Sequence, residues 1–430
     1  MRKIFAILTA LLLVSCSMNH DEVVVAMKAT QSTKISKEQA LKNLYSELKF
    51  IDEGTRAEGT PREVKSIKPL VGAVTRSGNA LDNDLLYIVE FGEGQGSAVV
   101  AADTRLEPVI AVLDSDVLTA EDFANEDMED ISAYMASMIT NYAESAVSVN
   151  STGLIPIPGN TVVDTIYTVN VPALLNTKWH QDSPYNNLCL DTDGEKIDAG
   201  CAAIAIAQFA YYHKSPDTIN GYNVNWDLLA NCEYVFGGNF NGGTIGGGGI
   251  IIFDPNFLAN REVAKFVYNI GVTAGINYSS GYPGASEYGM LFCLDELGYN
   301  CTLTTYNNSN IRDIVEDNKP VIVVGYNSVG SAHAWVVDGW KQCVIRTTTV
   351  SEMPEGPVGS VSPEIIVTDS HFDRIHCNFG WGGQCDGYYF GDVFDCREIN
   401  THTEPNSGDI PSARPGLQYC FNTNLQMFSY

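Results

Sequence analysis

Three short apolar runs lie between Leu85 and Leu113, "LLYIVEF", "SAVVAAD" and "PVIAVL". The glycine-rich "GEGQG" separates the first two, so the pattern predicts a hairpin followed by a third strand. Further on, Ile131, Tyr134, Met135, Met138, Ile139 and Tyr142 recur at steps of three and four, the apolar stripe of one helix. Together these elements make a small α+β unit. The next stretch, "SVNSTGLIPIPGN", holds two prolines and two glycines without a periodic run, and reads as a linker. Beyond it, the helical "DAGCAAIAIAQFAYYH" precedes the strand-like "PVIVVGY", "HAWVVDGW" and "EIIVTDS". Helices first and an antiparallel sheet later predict an α+β domain whose two halves pack across a cleft.

At 430 residues and 45% hydrophobic content the chain can build two or three domain cores. A net charge of −27 excludes nucleic acid as a partner, because phosphate binding needs clustered Lys and Arg. Eight acids and no base fall between Asp114 and Asp130, without the spacing of a calcium loop, so they read as a solvated face. The run "GGNFNGGTIGGGG", Gly237 to Gly249, lacks the Gly-Lys-Ser/Thr ending of a phosphate loop and reads as a surface insertion.

The N-terminus carries Arg2 and Lys3, then an apolar run from Ile4 to Val14, the order of a secretory signal. Its close, "LLLVSC", resembles a bacterial lipoprotein box, which would be cut before Cys16 and lipidated on that thiol. The expected division is 1–15 signal peptide, 16–150 N-terminal domain, 151–165 linker and processing region, and 166–430 main domain. The expected location is export, with a lipid anchor on the bacterial outer membrane or cell surface. Eleven cysteines show no CxxC pair, so neither a zinc site nor a redox motif is supported. Cys293 with Cys301, and Cys377 with Cys385, are open as disulfides.

Candidate chemistry begins at Cys201, at the start of a small-residue helix whose unpaired N–H groups and dipole stabilise a thiolate. Gly200 before it lets another chain segment approach closely. The same residues would equally suit a buried structural helix. A nucleophilic thiol needs a histidine base. His213 is twelve residues along the same helix, about 18 Å away, and out of reach. His20 and His402 lie in tether and tail. His333 opens a strand behind the small-residue loop "NSVGSA" and is the chosen base, with His371 and His376 as weaker candidates. Asn378 in "HCNFGWGG" can fix the histidine tautomer, or can be an ordinary turn asparagine. Asp338 lies five residues along the strand from His333 and points to the other face. Gln181 can donate to an oxyanion, and His180 beside it reads as a surface or cleft-rim residue.

The segments "PALLNTKWHQDSPYNNLC", "GCAAIAIAQFAYYHKSP", "SAHAWVVDGW" and "CNFGWGGQCDGYY" together resemble the streptopain family of secreted bacterial cysteine peptidases, papain-like in fold. The region around "LLYIVEF" resembles the family's inhibitory propeptide. The resemblance implies Cys201 as nucleophile, His333 as general base and acid, Gln181 as oxyanion donor and Asn378 as histidine orienter. Trp381 would be the aromatic shield, with Gly200 and Ala332 beside the bound substrate. One departure is Phe379, where the family has the first tryptophan of Asn-Trp-Gly-Trp-Gly-Gly. The implied activity is endopeptidase action on protein or peptide substrates, without metal or cofactor, from a zymogen whose propeptide is its own inhibitor. Two other classes stay open: a catalytically silent, papain-like surface binding lipoprotein, and a Cys-His amidase or acyltransferase acting on cell-wall peptide.

Overall fold

A computed structural model describes residues 33–53, 55, 61–70, 85–125, 130–149, 160–230, 257–326, 332–350, 365–394 and 425–429. Cys16, His20, His402 and the glycine run 237–249 lie outside the described residues.

The N-terminal unit opens with helix α1, Lys37–Ile51, capped by Ser36, whose hydroxyl accepts from the Gln39 N–H. Strands β1 (Val64–Pro69), β2 (Leu86–Phe91), β3 (Ser97–Ala101) and β4 (Val109–Leu113) follow, then a short α2 (Ala120–Ala124) and the long α3, Ile131–Val149. β2, β3 and β4 are the three runs anticipated from sequence, and all six residues of the predicted helical stripe are buried on α3.

The next strand, β5, is Asn160–Val171, so the last six residues of the expected 151–165 linker are strand. Their extended backbone is held by register pairing along a much longer strand, β10, which no local turn signal announces. Then come α4 (Cys201–His213), a two-residue hairpin β6–β7 (Thr218–Ile219, Tyr222–Asn223), α5 (Trp226–Leu229), α6 (Phe257–Thr273), α7 (Glu287–Glu296), β8 (Thr302–Thr305) and α8 (Asn308–Glu316). The remaining strands are β9 (Val321–Tyr326), β10 (Ala332–Val350), β11 (Ile365–Asn378), β12 (Gly387–Phe390) and β13 (Gln426–Ser429). The mixture of helices and antiparallel sheet is the expected α+β papain-like architecture.

One 11-stranded sheet runs through both parts in the order β1-β2-β3-β4-β12-β11-β10-β9-β13-β8, with β5 also on β10. The junction is β4 against β12, where Gly387, Tyr388 and Tyr389 face Leu113, Val112 and Ala111. A Cβ on Gly387 would lie 2.4 Å from the Val112 carbonyl, so only glycine lets the strands meet this closely. On one face α1 packs Ala40, Leu44 and Leu48 against Val89, Phe91, Val112 and Tyr388. On the other, α3 covers Ile110 and Ala111 of the N-terminal strands and reaches the layer containing Trp335, Ile375, Cys377 and Tyr389. A third core sets α4, α6 and α7 against Ile322, Val324, Ala334, Val336 and Phe428. No helix among the described residues is long and apolar enough to cross a membrane.

Buried charge also joins the two parts. Arg374 of β11 is 1% exposed and reaches Glu47 of α1 at 2.6 Å and Glu107 before β4 at 3.0 Å. The Lys341 ammonium donates to the carbonyls of Phe50 and Glu53, closing the C-terminal end of α1. His376 lies between Asp338 at 2.6 Å and Asp114 at 3.3 Å. The acidic stretch from Asp114 is therefore partly an interior contact, and the Asp116 carboxylate accepts the Cys385 N–H.

Two carboxylates around one guanidinium leave a proton on the cluster: burial pushes Glu47 up to about 8 against the pull of Arg374. A carboxyl whose folded-state value is raised stabilises the fold most below its unfolded value, and that contribution is lost as pH rises through about 8. His376 is also raised, burial being overcome by Asp338 and Asp114, and adds a slope of the same sign. Denaturant unfolding at a series of pH values should show stability falling toward alkaline pH, and Glu47→Gln should flatten part of that slope. Arg374→Ala should cost about 3–5 kcal/mol, because it leaves a buried carboxylate uncompensated.

Candidate active site

Helix α4 starts at Cys201 because Gly200 holds φ 90°, ψ 136°, a conformation side chains resist. A Cβ on Gly200 would lie 2.3 Å from the Pro283 carbonyl, so the anticipated close approach at this glycine is made by the Pro283 segment. From Ala202 to Ala210 the helix is buried on every side, which its alanines permit.

The Cys201 side chain is only half-buried. Burial nonetheless raises its pKa, and the N–H groups of Ala334, Ala202 and Cys201 itself pull only partly the other way. In this form Cys201 is a thiol. The Ala334 N–H is the observation that links α4 to β10, because Ala334 follows His333.

His333 is buried, and its Nε2 lies 3.2 Å from the Phe379 carbonyl. A carbonyl only accepts, so Nε2 carries the proton and Nδ1 is the free, basic nitrogen. The ring lies nearly parallel to Trp335 and Phe379, at 6.2 and 6.3 Å, with Trp381 at 6.4 Å. Tyr134 of α3 meets it edge-on at 6.1 Å. Burial in this aromatic box brings the imidazole down to about 4, with the Phe379 carbonyl opposing, so His333 is neutral at neutral pH.

Asn378 ends β11 one residue before Phe379. Its Nδ2 donates to the Thr177 carbonyl at 2.8 Å, and its Oδ1 accepts from Gly380 N–H at 3.1 Å and Gln208 Nε2 at 3.0 Å. Among the described residues the His333 ring is therefore oriented by the Phe379 backbone, next door to the amide expected to do it. Asp386 supports that turn from below by accepting the Phe379 N–H at 2.9 Å. Gln181 is buried, and its backbone carbonyl accepts from Ala199 N–H, two residues before Cys201. Trp381 is half-buried, and the Gly382 N–H bonds the Trp179 carbonyl, tying the tryptophan turn to the Gln181 segment. Ala332 opens β10 opposite Tyr326.

The weaker candidates separate. His376 is consumed by the Asp338–Asp114 cluster on the opposite face, where Asp338 also accepts the Leu175 N–H at 2.8 Å. His213 packs against Phe209, Tyr212 and Tyr299 at the far end of α4. His180, expected at the surface or rim, is buried edge-on to Trp381 at 5.4 Å, where Nδ1 accepts the Asp182 N–H. Among the described residues Cys189, Cys201, Cys293, Cys301, Cys343, Cys377 and Cys385 are free thiols, so neither pair left open is bridged.

A cysteine opening a helix, a histidine on the facing strand, and Gln181, Asn378 and Trp381 gathered around them define a papain-like thiol hydrolase. Residues 179–389 match the model of the Peptidase C10 family, and this match points to a cysteine endopeptidase. Streptopain of Streptococcus pyogenes is 22% identical over 401 residues, covering 83% of this chain and 85% of that protein. A solved fragment of prointerpain A from Prevotella intermedia is 19% identical with a TM-score of 0.50, covering 81% of this chain and 96% of that one. The active interpain A cysteine protease of the same organism is 20% identical, covering 60% of this chain and 94% of that one, with a TM-score of 0.38.

Sequence reasoning missed the Phe379 carbonyl, Tyr134 and Gln208. A backbone acceptor carries no residue signature. Gln208 did carry one, as the sole strongly polar side chain between Cys201 and Phe209 on an apolar helix.

Gly200→Ala should lower stability by more than about 1 kcal/mol, since alanine meets both a disfavoured φ and the Pro283 carbonyl. Thermal unfolding of the full chain checks this, and a midpoint equal to wild type would show that the Pro283 segment yields.

Proposed function

We propose that the chain is an exported cysteine endopeptidase made as a self-inhibited zymogen, with Cys201 as nucleophile and His333 as general base and acid. The observation that carries the reading is the Cys201 thiol at a helix N-terminus under the Ala334 N–H, one residue from His333. In the working state His333 Nδ1 takes the thiol proton, and the thiolate attacks the scissile carbonyl carbon. Gln181 and the Cys201 N–H stabilise the oxyanion. The imidazolium then protonates the leaving amine as the C–N bond breaks, leaving a thioester. Water, deprotonated by His333, hydrolyses that thioester and restores the thiol–imidazole pair.

The N-terminal unit supports the zymogen part of the reading. With α3 docked, Tyr134 closes the aromatic box on His333, and both catalytic groups are uncharged. Withdrawal of α3 would admit water to the box, raise the imidazole toward its ordinary value and favour the thiolate–imidazolium pair. A cut in the 150–159 region would sever this unit, while β5 stays paired along β10. We assign Trp381 to shielding His333 and Asn378 to holding the turn whose Phe379 carbonyl orients it, with Gly200 and Ala332 flanking the substrate.

Cys201→Ala should lose casein hydrolysis by about 10⁴-fold or more and accumulate as the unprocessed chain on N-terminal sequencing. Activity equal to wild type would end the proposal. The apolar run before Cys16 supports membrane attachment through that residue. Cys16→Ser should move the protein from the membrane fraction to the soluble fraction of expressing cells and abolish incorporation of labelled fatty acid.

A further inference from the structure

Gln208 lies seven residues after Cys201, about two helical turns, on a helix that is otherwise apolar from Ala202 to Phe209. It is fully buried. Two backbone groups fix the direction of every hydrogen bond it makes. The Gly380 N–H can only donate, so the Asn378 atom 3.1 Å from it is the oxygen. The Thr177 carbonyl can only accept, so the Asn378 atom 2.8 Å from it is the nitrogen. The Gln208 atom 3.0 Å from Asn378 Oδ1 must then be its NH₂, which leaves Gln208 Oε1 to accept the Thr177 hydroxyl at 2.6 Å. No alternative flip satisfies all four groups.

This closed ring joins three segments: α4 with Cys201, the Thr177–Gln181 stretch with the oxyanion donor, and the Asn378–Trp381 turn with the His333 acceptor and shield. The Gln208 N–H on Asn378 Oδ1 fixes the carboxamide plane, and through it the direction of the adjacent Phe379 carbonyl that holds His333 Nε2–H. We propose that Gln208 is a positioning residue of the hydrolysis, setting the alignment of nucleophile, oxyanion donor and base by donating to Asn378 while accepting from Thr177. The proposal rests on the peptidase reading above.

Gln208→Glu separates this role from packing. While its new carboxyl is protonated, the variant reproduces the pattern, the O–H donating to Asn378 Oδ1 and the C=O accepting from Thr177. Once that carboxyl ionises, oxygen is set against oxygen and the pattern breaks. Gln208→Met keeps the shape and removes both functions. The full-length chains would be matured by tagged wild-type enzyme that is then withdrawn, and active sites counted with a covalent thiol-directed inhibitor. For Gln208→Glu, kcat per site should approach wild type at the acid end of the pH profile. It should fall about 10- to 100-fold as pH rises, with KM nearly unchanged, the scale set by loss of catalytic alignment. For Gln208→Met the ratio to wild type should be low and independent of pH.

A Gln208→Glu ratio that stays flat across the profile, at any level, overturns the proposal. If Gln208→Glu does not fold, Thr177→Val, which removes only the hydroxyl, decides: kcat should fall with KM held, and an unchanged kcat overturns it. Full hydrolysis by Cys201→Ala would instead defeat the underlying peptidase reading, whatever the Gln208 variants do.

Discussion

The period-two alternation of β10 is the constraint on which the site depends. Ala334 and Val336 face the helical half, while Trp335 and Val337 face the layer under α3. His333 shares the second set, and its ring lies with Trp335 and Tyr134. The Cys201 helix belongs to the first set. The thiol and the imidazole thus come from opposite faces of the strand, close to where β10 starts at Ala332. At that end Tyr134 of α3 meets the imidazole edge-on, so the N-terminal unit touches the histidine directly.

The same alternation is broken once, by the register shift between Val337 and Gly339. The bulge carries Asp338 toward His376 and Leu175. Beyond it, Lys341 and Arg374 emerge on the face that α1 covers. The strand layer thus serves two separate electrostatic tasks. Its aromatic face keeps His333 neutral by excluding water. Its other face collects Lys341, Arg374 and His376 against Glu47, Glu107, Asp114 and the carbonyl end of α1. The cations belong to β10 and β11, and most of their anionic partners to the N-terminal unit, so net charge on either part alone would be poorly compensated.

Much of this was legible in the chain because it is written in local patterns. The strands near Leu86 to Leu113, the α3 stripe and the small-residue start of α4 are short-range signals, and each appears where its period places it. Cys201, His333 and Asn378 were picked out by chemical need and chain order, and the fold brings all three to one end of the sheet. What was not legible depended on partners distant in sequence. β5 is a strand because β10 is long enough to pair with it, and the segment 160–165 taken alone shows only mixed residues. The interior role of the acids near Asp114 needed knowledge that β4 meets β12. His180 looked like a rim residue because a lone histidine between Trp179 and Gln181 gives no sign that Trp381 will cover it.

The departure at Phe379 acquires a physical meaning from these contacts. At this position the side chain packs inward with Trp335, Tyr389 and Phe394, while the carbonyl, not the ring, holds His333. An indole would add bulk and a further N–H donor to this buried layer. Phenylalanine fills the space without adding a donor that needs a partner. The Phe379 ring still lies nearly parallel to the imidazole, beside Trp335 and Trp381, so the position keeps an aromatic wall next to the base. The side chain at residue 379 answers to the core and its backbone to the site, which is why the position can change its ring while keeping its place beside the base.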